Sequence, residues 1–360
     1  MTPLGLGIAG TGNIAGAYAR DILNHPQIRL AAATDLDAAK AAAFGVEHGC
    51  PIHGSLDDLL ADPSVDVVVN LTVHHAHYEV TKQALEAGRH VYSEKPMALR
   101  ASEARELVAL AASRGLRLGC SPSTFLGEAQ QTAAAIVRAG RLGPVRAVYA
   151  EVNHGRIEAW HPAPVPFFDV GVMVDVGVYP LTIATSILGP ARSVRAWGWE
   201  LMPERTTLDG TPFRIGSPDL IVAAIELDGG AVMRLTTSFY VGSPAKQTGS
   251  VEFHGDAASL ALGSFEKFDA TVEFGSYGES YEPVPPVRPP VHGTAWARGV
   301  ADMADAIAEG RPHRASAEQA AHVVEILEAA AASIADGGQT VSITSSFSVP
   351  PLMPWAEGDR

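Results

Sequence analysis

Two short stretches in the first third of this 360-residue chain carry residue types and spacings that could do chemistry. The first is Gly10-Thr11-Gly12-Asn13-Ile14-Ala15, a G-x-G-x-x-A turn, with Asp35 lying 23 residues beyond Gly12. In such a turn Gly10 makes the tight bend, Gly12 lets backbone approach a pyrophosphate, and Ala15 keeps the following helix close to the sheet. The helix start at Asn13 and Ile14 favours phosphate charge, and Asp35 would accept hydrogen bonds from ribose hydroxyls. A plain strand-to-helix connection would account for the glycines alone. Strand, turn, helix and acidic residue in register point instead to a bound dinucleotide. Asp35 opposes a 2′-phosphate, and Leu36 rather than an arginine follows it, so NAD is expected over NADP. The second stretch is Glu94-Lys95-Pro96. A Glu-Lys pair is usually a solvated surface pair, but here it ends a strand of the same sheet, where ligands bind in doubly wound folds. Lys95 is therefore expected at the nicotinamide end of the cleft.

The elements that must position these residues follow from apolar patterning. Leu4–Ala9, Ile28–Thr34, Val65–Leu71, His90–Ser93 and Leu116–Cys120 are short, apolar-rich runs separated by helical segments at residues 13–24, 37–48, 77–87 and 102–113. Strands apolar throughout and spaced by helices predict a parallel sheet covered on both faces, wound right-handedly into a Rossmann domain over residues 1–122. Beyond a helix over 129–139, strand-like runs follow at 145–153, 193–199, 220–227, 231–240, 250–254, 258–262 and 270–274, with Asp228-Gly229-Gly230 as a hairpin turn. They predict an α+β domain over 123–360 with an open, mainly antiparallel sheet. Helices resume at 295–309 and 317–335, and 340–360 reads as extended.

Composition narrows the function classes. Lys and Arg number 26 against 40 Asp and Glu, a formal charge of −14, which repels phosphate backbones and argues against nucleic acid. No run approaches the ~20 apolar residues that cross a bilayer, and Met1–Gly5 lacks the basic start of a signal peptide. A cytoplasmic protein is expected, with Cys50 and Cys120 as two buried thiols. His74, His75 and His77 resemble a metal cluster but would not converge on one ion at a strand-to-helix turn, so no metal is expected.

Glu94-Lys95-Pro96, together with Thr72-Val73-His74-His75-Ala76-His77, Ala84-Leu85-Glu86-Ala87-Gly88 and Asp175-Val176-Gly177-Val178-Tyr179, resembles the glucose–fructose oxidoreductase/inositol dehydrogenase (Gfo/Idh/MocA) family. The resemblance spans nearly the whole chain. It implies a second domain whose open sheet builds dimers or tetramers, Thr72, His77 and Glu94 near the cofactor, and Lys95, Asp175 and Tyr179 as catalytic groups. Two departures stand out: Thr72-Val73-His74 replaces the usual Thr-Pro-Asn, and Tyr179 stands where a catalytic histidine is common. From spacing alone, Asp175 would cap a helix and Tyr179 would pack four residues on, along the same face; the resemblance favours the catalytic reading.

Oxidising an alcohol carbon needs a group to take the hydroxyl proton. Free Tyr and Lys titrate near ~10 and ~10.4, too high to act unaided. A cationic Lys95 near Tyr179 would favour phenolate, so Tyr179 relays the proton and Lys95 polarises the same oxygen, or Lys95 is itself the base. Asp175 would bind a neighbouring hydroxyl or orient Lys95. His154, Trp160 and His161, expected in the connection between domains, suit a pyranose with hydroxyls on its rim and C–H groups on its face; Trp160 could equally be a packing residue. The expected activity is NAD(H)-dependent hydride transfer at a carbon of a sugar, glycoside or cyclitol. An alternative uses the same residues, glycoside cleavage through transient oxidation by retained NAD+; a non-catalytic dinucleotide sensor is a third reading, against which intact Lys95, Asp175 and Tyr179 argue.

Overall fold

The structure, a computed structural model, describes residues 2–242 and 245–358. The chain divides into two compact units, Met1–Ser123 with Ala295–Val324, and Thr124–Thr294 with Glu325–Arg360.

In the first unit β1 (Leu4–Ala9), α1 (Ala15–Ile22), β2 (Ile28–Thr34), α2 (Ala38–His48), α3 (Leu56–Ala61), β3 (Val67–Asn70), α4 (His77–Glu86), β4 (His90–Ser93), α5 (Ala101–Ser113) and β5 (Leu118–Cys120) alternate along the chain. The five strands pair in parallel in the order β2-β1-β3-β4-β5. A further parallel bridge from Ala33 to Ile52 extends the sheet beyond β2. Counting that bridge, the order reverses between β1 and β3, which places the ligand crevice of a doubly wound sheet at the carboxyl end of β1. Helix α3 escaped sequence reading, although its signal was present: Ser55 accepts the Asp58 N–H at 3.1 Å, and Asp57 and Asp58 fill the first turn.

The second unit opens with α6 (Glu128–Arg138), β6 (Val145–Asn153), α7 (Val165–Val170), a π-helical turn over Met173–Gly177, and α8 (Val178–Leu188). Strands β7 (Ala191–Trp199), β8 (Glu204–Thr206), β9 (Pro212–Arg214), β10 (Leu220–Leu227), β11 (Val232–Ser238), β12 (Ser250–Gly255), β13 (Ala258–Leu262), β14 (Val272–Ser276) and β15 (Glu282–Pro283) follow. Completed by β16 (Val341–Ser342), the main sheet runs β15-β14-β13-β12-β6-β11-β10-β7-β16, antiparallel throughout except for β6 beside β11. The Asp228-Gly229-Gly230 turn joins β10 to β11 as expected, closed by Leu227 N–H to Ala231 O at 2.9 Å. Met233 and Leu235 are buried, and the π-turn sits so close to β11 that a side chain at Gly177 would press on Thr237. Tyr149, Trp197, Trp199 and Val232 lie exposed on this unit's strands.

A single cut after residue 122 does not describe the chain. Helix α9 (Arg298–Glu309) and the first part of α10 (Ala317–Ala335) belong to the first unit. Ala317, Ala321 and Val324 share one apolar core with Leu59, Val68, Leu85, Val91 and Leu107, and Cys120 N–H donates to Ala315 O at 3.2 Å. These residues supply apolar cover that the first 122 lack.

After α10 the chain is extended, as expected, apart from β16 and a short turn at Pro354–Ala356; Asp359 and Arg360 lie outside the described residues. Glu325 ties this tail down by accepting from Thr344 N–H and Oγ1 and from Ser345 N–H at 2.7–2.9 Å. Burial pushes its pKa up, but these hydrogen bonds outweigh it and hold the carboxyl at about 2. Because the folded value lies below the unfolded ~4.3, the stabilisation is full above that value and is lost as pH falls through about 2. Glu325→Gln is expected to cost about 1 kcal/mol at neutral pH, discounted for partial exposure. The gap from wild type should close in acid, as read by urea melts at pH 7 and below pH 3.

Candidate active site

The Gly-rich turn joins β1 to α1. Gly10 has φ +94°, a left-handed conformation in which any side chain would also press within 2.7 Å of Leu71 O. At Gly12 the opposite holds: a Cβ would meet nothing within 4 Å, so the turn leaves open space above the start of α1. Ile14 occupies the cap position of α1 and makes no side-chain cap hydrogen bond, Asn13 is exposed, and Ala15 is fully buried against the sheet. A cradle of small residues beneath an uncapped helix start fits a pyrophosphate.

Asp35, at the end of β2, holds this turn in place. Its Oδ2 accepts Thr11 N–H at 2.6 Å and Thr11 Oγ1–H at 3.0 Å, and its Oδ1 accepts Asp37 N–H at 2.8 Å. A carboxylate has about four acceptor positions, so capacity for a ribose hydroxyl remains.

The Glu94-Lys95-Pro96 segment is gripped from several sides. Glu94 N–H donates to Asn70 O at 2.8 Å, and Ser93 Oγ donates to Glu94 O at 3.0 Å. Glu94 Oε2 accepts Lys95 N–H at 3.1 Å, while Oε1 accepts the Tyr18 hydroxyl at 2.7 Å. His77 Nδ1 lies 2.7 Å from Pro96 O and its Nε2 3.0 Å from Thr72 O.

His77 and Glu94, expected near the cofactor, are 1% and 8% exposed, and their side chains hydrogen-bond to neighbouring loops and to Tyr18. Burial lowers the His77 pKa, against the pull of the two carbonyls. A neutral imidazole can donate to one of them at a time. Thr72 likewise turns its hydroxyl to Asn70 Oδ1 at 2.7 Å. Asn70 and Tyr18 were missed by sequence reading. Asn70 had a signal, a polar residue closing the run Val67-Val68-Val69 inside a buried strand.

In the second unit Asp175 is buried inside the π-turn, with Val172 at the cap position, so it is not a helix cap. Such turns widen a helix and recur at functional sites. Tyr179 follows in the first turn of α8, half-buried, its ring 5.4 Å from that of Phe265. His154, Trp160 and His161 belong wholly to this unit, not to a connection between domains. The structure does bring them together: Trp160 stands edge-on to His154 at 5.9 Å and to His161 at 5.4 Å, and His161 meets Phe167 edge-on at 4.8 Å. Trp160 is 54% exposed, which leaves an aromatic face open rather than packed. Cys120 is buried as expected, but Cys50 is only partly so, and both are free thiols. Among the described residues no cluster of His, Cys, Asp or Glu could hold a metal, and no helix is long and apolar enough to cross a membrane.

Residues 4–121 match the model of an oxidoreductase family with an NAD-binding Rossmann fold, and residues 130–261 match the C-terminal domain of the same GFO/IDH/MocA group. The chain belongs to the Gfo/Idh/MocA oxidoreductase family. A trans-1,2-dihydrobenzene-1,2-diol dehydrogenase of Sus scrofa is 31% identical over 59% of this chain and 60% of its own length. A dTDP-3,4-didehydro-2,6-dideoxy-alpha-D-glucose 3-reductase of Streptomyces antibioticus is 32% identical over 56% of this chain and 61% of its own. The chain thus spans about three fifths of these curated relatives. An NAD binding oxidoreductase from Klebsiella pneumoniae shares the fold, with TM-score 0.84 at 20% identity, covering 96% of this Gfo/Idh/MocA chain and 100% of that one. A levoglucosan dehydrogenase in complex with NADH and L-sorbose does so with TM-score 0.83 at 19% identity and the same coverage.

Proposed function

We propose that this protein transfers hydride between NAD(H) and a hydroxyl-bearing carbon of a sugar, glycoside or cyclitol. The observation that carries the proposal is the braced Lys95 segment at the end of β4, on the same parallel sheet as the open Gly12 turn. An ammonium at that end of the sheet suits an alcohol oxygen losing its proton. The names of the two curated relatives support a ring substrate, one a cyclic diol and the other a keto-sugar.

Gly10, Gly12, Asn13, Ile14 and Asp35 would hold the dinucleotide, and bound NAD+ would supply the hydride acceptor. This chain's own groups must then handle the hydroxyl proton. Lys95 polarises the oxygen and Tyr179 relays its proton, with Lys95 as the direct base in the alternative assignment. Asp175 binds a neighbouring hydroxyl or orients Lys95. The aromatic shelf of His154, Trp160 and His161 would receive the C–H face of a pyranose. The exposed Tyr149, Trp197, Trp199 and Val232 support a homodimer or tetramer formed through the second unit's sheet, and the free thiols suit a cytoplasmic setting.

The test is a panel of monosaccharides, glycosides, inositols and cyclic diols, scored at the NADH absorbance band with NAD+ and NADP+ in parallel. Turnover of polyols with NAD+ is the expected result, and binding of NAD+ without turnover of any of them would overturn the reading. Asp35→Ala is expected to weaken NADH binding about 10- to 100-fold, the range for hydrogen bonds to a charged group, and to narrow the preference over NADPH. Fluorescence titration with both nucleotides checks it; unchanged NADH affinity would remove Asp35 from the cofactor site.

A further inference from the structure

Tyr18 lies in the second turn of α1, fully buried, with a hydroxyl and no apolar reason for one. That hydroxyl donates to Glu94 Oε1 at 2.7 Å and sits 2.9 Å from Ser121 Oγ. Glu94 in turn accepts the Lys95 N–H through its other oxygen at 3.1 Å. The chain of contacts therefore runs from the helix that follows the Gly-rich turn, through one carboxylate, to the backbone of the candidate catalytic lysine.

We propose that Tyr18 is a positioning residue for Lys95, acting through the Glu94 carboxylate, whose orientation its hydroxyl fixes. The proposal rests on the reading that Lys95 takes part in the chemistry. Burial, followed by the Glu94 charge, raises the Tyr18 pKa well above the usual phenol value, so this phenol stays a donor at every working pH. With one Glu94 oxygen committed to Tyr18 and the other to the Lys95 amide, the carboxylate is held in one rotamer. The residue then presents Lys95 with a fixed negative charge. Sharing that charge with the Tyr18 hydroxyl also tempers its pull on the ammonium next along the chain. Groups facing this carboxylate from neighbouring elements are Tyr18 on α1, Tyr92 on β4, Cys120 at the end of β5 with Ser121 just after it, and His77 on α4.

The test reads the lysine directly and needs no substrate. Competitive labelling of the protein with acetic anhydride across pH 7–12, followed by peptide mass spectrometry, gives the titration midpoint of Lys95, with Lys246 and Lys267 as internal references. In Tyr18→Phe the carboxylate loses its donor, so its pull on the ammonium strengthens and the Lys95 midpoint should rise by half a unit or more. In Glu94→Gln the charge is gone and the midpoint should fall. The reference lysines should not move. With the best polyol of the panel, Tyr18→Phe should lower kcat about tenfold with KM and NADH affinity within about threefold. A Lys95 midpoint and kcat unchanged in Tyr18→Phe, whatever happens to melting temperature, would overturn the positioning role. If Tyr18→Phe does not fold, an unmoved Lys95 midpoint in Glu94→Gln overturns it instead. Wild-type turnover in Lys95→Met would instead sink the underlying reading, so the two failures are separable.

Discussion

Replacing Tyr179 by Phe should lower turnover about 10²- to 10⁴-fold, the usual contribution of a positioned acid or base, while NADH binding stays within a factor of about three. The substitution removes one oxygen and keeps the ring, so the stacking against Phe265 at 5.4 Å is preserved and the fold should survive. Lys95→Met is the companion variant. If Tyr179 relays the proton, Tyr179→Phe should abolish the alkaline rise of kcat, whereas Lys95→Met should shift that rise upward by removing the cation that favours phenolate. If Lys95 is the base, Lys95→Met should abolish the rise and Tyr179→Phe should leave it in place. A Tyr179→Phe enzyme with wild-type kcat would remove the phenol from the mechanism. Steady-state rates over pH 6–10 on one substrate are enough to decide.

The second large effect concerns stability. Arg205, on β8, has a fully buried side chain. It donates to Glu158 Oε1 at 2.7 Å, to Asp219 Oδ2 at 2.5 Å and to Met202 O at 2.9 Å. Its guanidinium also lies 4.9 Å from the centre of the Phe168 ring, which packs on Phe239 and through it reaches His154. Arg205→Met should cost about 3–5 kcal/mol, because it leaves two carboxylates buried without their cation. For a body of this size that is roughly 6–20 °C in Tm. Adding Glu158→Gln and Asp219→Asn should recover part of the loss, since the uncompensated charges are then gone. A Tm within 2 °C of wild type in Arg205→Met would show that the ionic cluster is dispensable.

Sequence reading reached the first unit because its strands are uniform apolar runs such as Val67-Val68-Val69, which a two-sided sheet requires. It gave no helix at Val165–Val170, and from Asp175 onward it offered a helix only through the spacing of Asp175 and Tyr179, for a physical reason. Val172, Val174, Val176 and Val178 alternate like a strand, and Pro180 lies three residues into α8. Burial on the sheet overrides those local preferences, as propensity is a weak prior against packing. The open turn at Gly12 and the Asp35 position followed from spacing. The inward braces did not, because nothing in a one-dimensional pattern distinguishes a histidine or glutamate that faces a ligand from one that grips a neighbouring loop. Tyr18 had the look of one more core residue, three positions after Ala15 on the same helix face. Its meaning depends on Glu94, 76 residues away.

The return of Ala295–Val324 to the first unit has a consequence for biosynthesis. A nascent chain emerging from the ribosome exposes the apolar patch that Ala317, Ala321 and Val324 will cover until those residues, some two hundred positions after Cys120, have been made. Early, autonomous maturation of the nucleotide-binding half, ordinary for an N-terminal domain, is therefore closed to this protein. Ribosome-stalled fragments ending near residue 294 should remain protease-sensitive and chaperone-bound, and resistance should appear when the tenth helix clears the exit tunnel.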